Sequence, residues 1–261
     1  IMAKIEIVCL GGQDEKDKLC SALIINDDIY VLGCGIHCPS AVQLGIKKII
    51  ADYSFLIDNK DRVKGIFIPT PNYNAFGGLE FLIKHLANVP IFTSNLGQVI
   101  INNNLEWCNG GFKTHMNQVK AFKTRWNVNA VTPLTPFKVG KIEIMAFRTA
   151  SFMPTSLGFV FKTDDGSIVF VDQFMIPTSV NNAMYDLIDD VKKFTNGNTL
   201  LLITAIGDNI NNEAFTSPKY SVTSFFENVI LEMPNRGIFC LEEKDIYKLI
   251  KLASLANAKS I

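Results

Sequence analysis

Along the first third of the chain, short apolar runs alternate with turn-forming residues. Positions 5–10, 22–25 and 29–32 are mostly apolar, and Gly11-Gly12 and Asn26-Asp27-Asp28 interrupt them. Runs of this length bounded by such breaks predict strands, the last two joined by a tight hairpin. A further strand is predicted at 66–68. From Gly78 the period changes: Leu79, Leu82, Ile83 and Leu86 recur three and four apart, the spacing of one helix face. A strand at 89–92 and a helix at 95–104 follow.

The pattern weakens between 110 and 139. Positions 139–147, 158–162 and 167–171 then predict three strands, with a turn at Asp164-Asp165-Gly166. A helix over 180–194 leads through Asn196-Gly197-Asn198 into an apolar strand at 199–205. Beyond about 215 the texture changes. Ser217-Pro218 supplies the residue types of an N-cap and first helical position, 236–241 predicts a strand, and 242–258 predicts a helix with acidic residues in its first turn. Strands with helices between them, in two consecutive halves, predict an α/β layered sandwich over 1–212, with a second unit starting at 213 and running to 261.

Composition restricts function more than fold. Lys plus Arg and Asp plus Glu number 25 each, so no net field draws the chain toward nucleic acid or an anionic membrane. Any RNA contact needs a local patch. The best one interleaves Trp107, Phe112, Phe122 and Trp126 with Lys113, Lys120, Lys123 and Arg125. Trp107, Lys113, Lys123, Arg125 and Trp126 are the candidate RNA contacts, by stacking on bases and pairing with phosphates; the same residues would equally line an interface or a core edge. Six cysteines scattered through apolar segments (Cys9, Cys20, Cys34, Cys38, Cys108 and Cys240) predict reduced core thiols and a cytoplasmic protein. No apolar run approaches the roughly 20 residues of a membrane helix. The three histidines, His37, His85 and His115, are dispersed, and His85 is expected on a helix surface. Cys34, His37 and Cys38 lack the second half of a metal site and read as a strand end with packed thiols.

The chemically informative stretch is Ile66-Phe67-Ile68-Pro69-Thr70-Pro71-Asn72-Tyr73-Asn74-Ala75-Phe76-Gly77-Gly78-Leu79, a buried strand opening into a polar loop that meets a helix through paired glycines. Taken alone, the loop is an ordinary polar turn. With its flanks it resembles the metal loop of metallo-β-lactamase-fold hydrolases, which carries a His-x-His-x-Asp-His motif. The segments around Ile5 to Gly12, Gly35-Ile36-His37-Cys38-Pro39, Leu44-Gly45-Ile46 and Asp52-Tyr53-Ser54-Phe55-Leu56 resemble the ribonuclease J family in order and spacing. Gly33-Cys34-Gly35 stands where that family has Asp-Ala-Gly.

The resemblance implies an αββα sandwich followed by the beginning of a β-CASP domain at the C-terminus, and two zinc ions that activate water. It also implies that the ligand positions are replaced. They read Thr70, Asn72, Asn74 and Ala75 in the loop, Ser151 in the segment 147–158, and Gln173 in the segment 168–174. Hydroxyl, amide and methyl groups forfeit most of the affinity that imidazole, thiolate or carboxylate gives zinc. No cofactor and no catalytic residue are therefore expected, with Asp172 and Asp208 as the remaining candidates. Asp172 would need a bulge to replace its neighbour, because adjacent strand residues face opposite ways. The expected role is a non-catalytic subunit of RNA processing, partnered by an active ribonuclease-J-like paralogue or by itself as an oligomer. The alternatives are an active metal-dependent hydrolase with an unconventional or shared site, and a structural module without RNA. Residues 217–261 resemble only the opening of the β-CASP insertion. The rest of the family's chain is absent by shortening, lies outside this sequence, or is supplied by a partner.

Overall fold

A computed structural model describes residues 3–13, 17–39, 45–108, 126–149, 151, 153–172, 183–204, 228–230, 232, 237–241 and 246–259. Strands β1 (Ile5–Gly11), β2 (Cys20–Ile25) and β3 (Asp28–Leu32) form an antiparallel meander. Its hairpin turns at Asn26, which adopts a φ of 55°, a conformation that asparagine tolerates better than most residues. A small ribbon of β4 (Ile36–His37) and β5 (Ile49–Ile50) precedes helix α1 (Ser54–Asp58). Strand β6 (Val63–Phe67) then adds parallel to β3 and leads into α2 (Tyr73–Phe76) and α3 (Leu79–Leu82). Strand β7 (Pro90–Thr93), helix α4 (Asn95–Cys108) and strand β8 (Asn127–Ala130) complete a sheet of order β1-β2-β3-β6-β7-β8.

Both faces of this sheet are covered, which is why its central strands read as continuous apolar runs. Ala22, Ile24, Ile29, Val31 and Ile66 face the helices, while Leu23, Ile25, Tyr30, Leu32 and Phe67 face the second sheet. Register shifts by one residue at Lys64, so Val63 and Ile66, three apart, share the helix face. The second sheet has β9 (Phe137–Val139), β10 (Ile142–Arg148), β11 (Leu157–Thr163) and β12 (Gly166–Val171) antiparallel in succession. Helix α5 (Ala183–Phe194) crosses back, and β13 (Thr199–Thr204) joins β12 in parallel. Val191 and Phe194 of α5 pack on the outer residues Met145, Phe147, Val160, Val169 and Val171. Two facing sheets with helices outside make the αββα sandwich that the resemblance implied.

At the centre of the inter-sheet core sits Phe67. Its ring stacks on Phe92 at 5.1 Å and meets Phe161 and Phe159 edge-on at 5.0 and 5.3 Å.

Several expectations need correction. Positions 139–147 are two strands, broken at Gly140 with a φ of 59°. Strand β8 had no apolar signature, since Asn127 and Asn129 occupy it, and parallel pairing with β7 creates it. Helix α4 runs to Cys108, and the segment 237–241 lies in no strand. A last helix, α6 (Ile246–Lys259), matches the helix expected there. The expectation of core thiols holds for Cys20 and Cys34, whereas Cys9, Cys38 and Cys240 are exposed. Ser217-Pro218 and the start of the second unit at 213 lie outside the described residues. Among the described residues, no helix is long and apolar enough to cross a membrane.

Truncating Phe67 to alanine removes the ring shared by both sheets. The expected loss is about 3–5 kcal/mol, read as a lower urea midpoint with an unchanged slope. A loss below about 1 kcal/mol contradicts this account of the core.

Candidate functional site

Parallel strands place the loops that follow them at one edge of a sheet, where α/β proteins build their sites. Here the Gly33 N–H donates to Phe67 O at 2.9 Å, Ile68 N–H to Phe92 O at 2.9 Å, and Val131 N–H to Thr93 O at 2.9 Å. The second sheet reaches the same edge through the Leu157 N–H, which donates to Pro69 O at 2.8 Å.

Within this frame the loop of 68–78 is held by its main chain. The Cys34 N–H donates to Ala75 O at 2.7 Å, and the Gly78 N–H donates to Cys34 O at 2.7 Å. The approach leaves no room for side chains. A Cβ on Gly35 would lie 1.8 Å from Asn74 O, and one on Gly78 would lie 2.1 Å from the Tyr53 hydroxyl. The four loop positions singled out in the sequence have structural duties or neutral chemistry. Asn72 is the N-cap of α2, its Oδ1 accepting from the Ala75 N–H at 3.1 Å. Ala75 is fully buried in the helix-side core. Thr70 is buried, its carbonyl accepting from the Asn72 N–H at 2.9 Å, and Asn74 is half-buried. One hydroxyl, two amides and a methyl group do not fit zinc, and one amide oxygen is already engaged by the cap. Among the described residues, no three His, Cys, Asp or Glu side chains converge.

The same edge is rich in hydroxyls. Thr93, Ser94, Ser151 and Ser156 are buried along with Thr70. Ser94 caps α4, its Oγ accepting from the Gly97 N–H at 3.1 Å. The Thr155 hydroxyl, arriving from the loop before β11, donates to that same Oγ at 2.9 Å. Thr155 has a φ of 61°, a strained conformation for a β-branched residue. Ser156 donates to Met153 O at 2.9 Å. Thr93 Oγ1 has no partner among the described residues and sits against Gly97, where a Cβ would lie 2.3 Å away. Of these contacts only the Ser94 cap had a sequence signal, a serine immediately before the predicted helix. The Thr155 contact joins residues 61 apart and left none.

Asp172 is buried at the carboxyl end of β12, and its backbone carbonyl accepts from the Thr204 hydroxyl at 3.4 Å. Gln173 and Asp208 lie outside the described residues, as do Lys113, Lys123 and Arg125. Trp107 is exposed at the end of α4. Trp126 packs against the helix-side core and donates Nε1–H to Asn102 Oδ1 at 3.1 Å, so it occupies a core edge. Cys34, His37 and Cys38 are engaged separately. Cys34 lies 3.4 Å from the Tyr53 hydroxyl, His37 pairs with Asp17 at 2.9 Å, and Cys38 is exposed. Burial pushes the Cys34 thiol up to about 12, against a smaller downward pull from the Tyr53 hydrogen bond. Burial also raises Cys20. His85 is exposed, as expected.

Two facing sheets with helices outside and a loop-built edge make an αββα sandwich. A crystal structure of a protein of unknown function from Enterococcus faecalis superposes with a TM-score of 0.63 at 14% identity, over 97% of this chain and 63% of that one, and shows the architecture alone. No protein-family profile matches the chain. Among curated proteins, an uncharacterized protein of Mycoplasma pneumoniae is 34% identical over 259 residues, 99% of this chain and 45% of its own length. Ribonuclease J2 of Bacillus subtilis is 28% identical over 262 residues, 98% of this chain and 44% of its own length. Ribonuclease J 1 of Streptococcus pyogenes is 28% identical over 97% of this chain and 42% of its own length. The chain belongs to the ribonuclease J-like family and spans less than half the length of these relatives.

Two measurements check the site. Replacing Asn72 with alanine removes the α2 cap and should lower stability by about 1 kcal/mol, whereas Asn72→Asp or Asn72→Ser should keep most of it; equal losses for all three in thermal unfolding would contradict the capping role. Because burial keeps Cys20 and Cys34 protonated at pH 8, a disulfide reagent should label Cys9, Cys38 and Cys240 quickly and leave Cys20 and Cys34 until denaturant is added. Mass spectrometry of the labelled peptides reads the outcome.

Proposed function

We propose that the chain is a non-catalytic ribonuclease-J-like subunit of RNA processing or decay, acting beside an active paralogue or as an oligomer of its own. The observation that carries this reading is the occupation of the metal loop. Asn72 spends its amide oxygen on the α2 cap and Ala75 places its methyl group in the core, so two of the four positions serve the fold. Thr70, Asn74, Ser151 and Gln173 add no imidazole, thiolate or carboxylate. No hydrolytic step can be written through a zinc ion with this donor set.

The supporting role takes RNA at the Trp107 end of α4, with Lys113, Lys123 and Arg125 on phosphates, in the cytoplasm and without a cofactor. Residues 213–261 are assigned to the opening of a β-CASP-like domain, in keeping with the greater length of the relatives. A second reading, an active hydrolase with an unconventional or shared site, draws on Asp172, a buried carboxylate just past β12. Replacing Asp172 and Asp208 with alanine, singly and together, tests it. Unchanged turnover by the natural complex makes them bystanders.

The deciding experiment is elemental analysis and RNA-cleavage assay of the protein purified with its natural partners. The expected result is no stoichiometric zinc in this chain and no chelator-sensitive cleavage by it, with RNA binding that weakens as salt rises. Stoichiometric zinc with chelator-abolished cleavage would sink the proposal.

A further inference from the structure

The edge that carries the neutral loop also gathers hydrogen-bond donors that lack acceptors. Helix α4 is 14 residues long, and the first N–H groups of a helix have no partner inside it. The Gly97 N–H goes to Ser94 Oγ at 3.1 Å, and the Gln98 N–H goes to Ser94 O at 2.8 Å. Those of Asn95 and Leu96 have no acceptor among the described residues. The hydroxyls of Ser94 and Thr155 share one hydrogen bond of 2.9 Å. Two hydroxyls carry two protons, so one is left to give. Independently of the helix end, Thr93 Oγ1 is buried with no partner among the described residues. It is turned onto the first turn of α4, 2.3 Å from where a Gly97 Cβ would lie. Asn95 and Thr155 are exposed, so the cluster opens to solvent. Donors without acceptors at the positive end of a helix dipole describe a place for a ligand that only accepts.

The strands bring a cation to the same edge. Ile142, Ile144 and Ala146 of β10 face the first sheet, and Arg148 continues that row at the exposed end of the strand. Arg148 lies opposite Leu157, whose N–H reaches Pro69 O. Its place across the sandwich follows from the rings: Phe92 of β7 meets Phe137 of β9 at 5.3 Å, and Phe67 of β6 meets Phe159 of β11 at 5.3 Å. Strand β10, between β9 and β11, therefore ends between the loops that follow β6 and β7. No hydrogen bond or ion pair holds the Arg148 guanidinium among the described residues. The carboxylate that the described strands deliver to this edge is Asp172. It stands past β12, two strands from β10 and so about 10 Å away across the sheet, and it is buried with contacts of its own.

We propose that the N-terminus of α4 is a phosphate-binding site. The Asn95 and Leu96 N–H groups, the spare proton of the Ser94 and Thr155 hydroxyls and the Arg148 guanidinium meet the phosphate oxygens, and the Thr93 hydroxyl gains the acceptor it lacks. A carboxylate has too few oxygens for this set of donors, whereas a phosphate has enough and also fits the fork of a guanidinium. The inference goes beyond the supporting role and does not depend on it, because none of these groups belongs to the loop of 70–75. A free phosphate ion and the backbone of RNA offer the same chemistry.

The test uses the whole chain labelled with nitrogen-15, titrated at constant ionic strength with inorganic phosphate, with acetate, and with an RNA hexamer that has hydroxyl ends. Saturable shifts of the Asn95 and Leu96 amide signals are expected with phosphate, at concentrations about tenfold or more below those at which acetate acts. Asn95→Pro deletes one N–H at a helical position that accepts proline, Arg148→Gln removes the charge, and Thr93→Val removes the buried hydroxyl. Each should weaken phosphate binding about fivefold or more, read in Asn95→Pro from Leu96. Thr93→Val should also raise the melting temperature, since a methyl group replaces an unsatisfied hydroxyl, which separates lost binding from lost folding. Saturation by the hexamer, weakened by the same variants, assigns the site to an internucleotide phosphate; saturation by inorganic phosphate alone assigns it to a free or terminal one. No saturable shift with either probe, acetate binding as well as phosphate, or indifference to all three variants would overturn the proposal. Zinc content and RNA cleavage are not read in this experiment, so its failure leaves the assignment of a non-catalytic subunit standing, and the reverse also holds.

Discussion

The main-chain clamp between Cys34 and the loop of 70–78 is the constraint on which the candidate site depends. Two backbone hydrogen bonds of 2.7 Å, from the Cys34 N–H to Ala75 and from the Gly78 N–H to Cys34, fix where the loop lies. Both use atoms that every residue except proline has. Side chains enter only by exclusion, since Gly35 and Gly78 must lack a Cβ for the segments to approach. The clamp itself uses no side chain at 70, 72 or 74. Fold and chemistry are separable here for that physical reason.

Once those side chains are neutral, they answer to the rules of ordinary loops. Asn72 turns to the cap of α2, where its amide oxygen accepts from the Ala75 N–H, a donor that the Asn72 carbonyl shares at 3.0 Å. Ser94 does the same for α4 and also receives the Thr155 hydroxyl, so one oxygen ties a helix of the first sheet's layer to a loop of the second sheet. That tie carries a cost, because Thr155 is held at a positive φ. Thr93, buried with no partner among the described residues, carries another, of about 1–3 kcal/mol for an unsatisfied hydroxyl. Both costs sit at the edge where the strands deliver their loops.

The packed core lies directly under that edge. The ring cluster around Phe67 joins the two sheets directly beneath the loop, since Phe67 is the last residue of β6 and Pro69 already accepts from the second sheet.

The apolar runs alone determined most of the strands, because a strand buried on both faces has no polar positions to blur the signal. The flanking segments were enough to reveal the family. The pairing of β8 was not legible, since Asn127 and Asn129 are strand residues only because β7 lies beside them. Nor was the break at Gly140, hidden inside one apolar run. The roles of Asn72 and Ala75, the Thr155 contact with Ser94 and the core-edge position of Trp126 were decided by tertiary structure. Each depends on which atoms are brought within about 3–4 Å by segments far apart in sequence or by a turn whose path the clamp imposes, and a linear pattern carries no term for that distance.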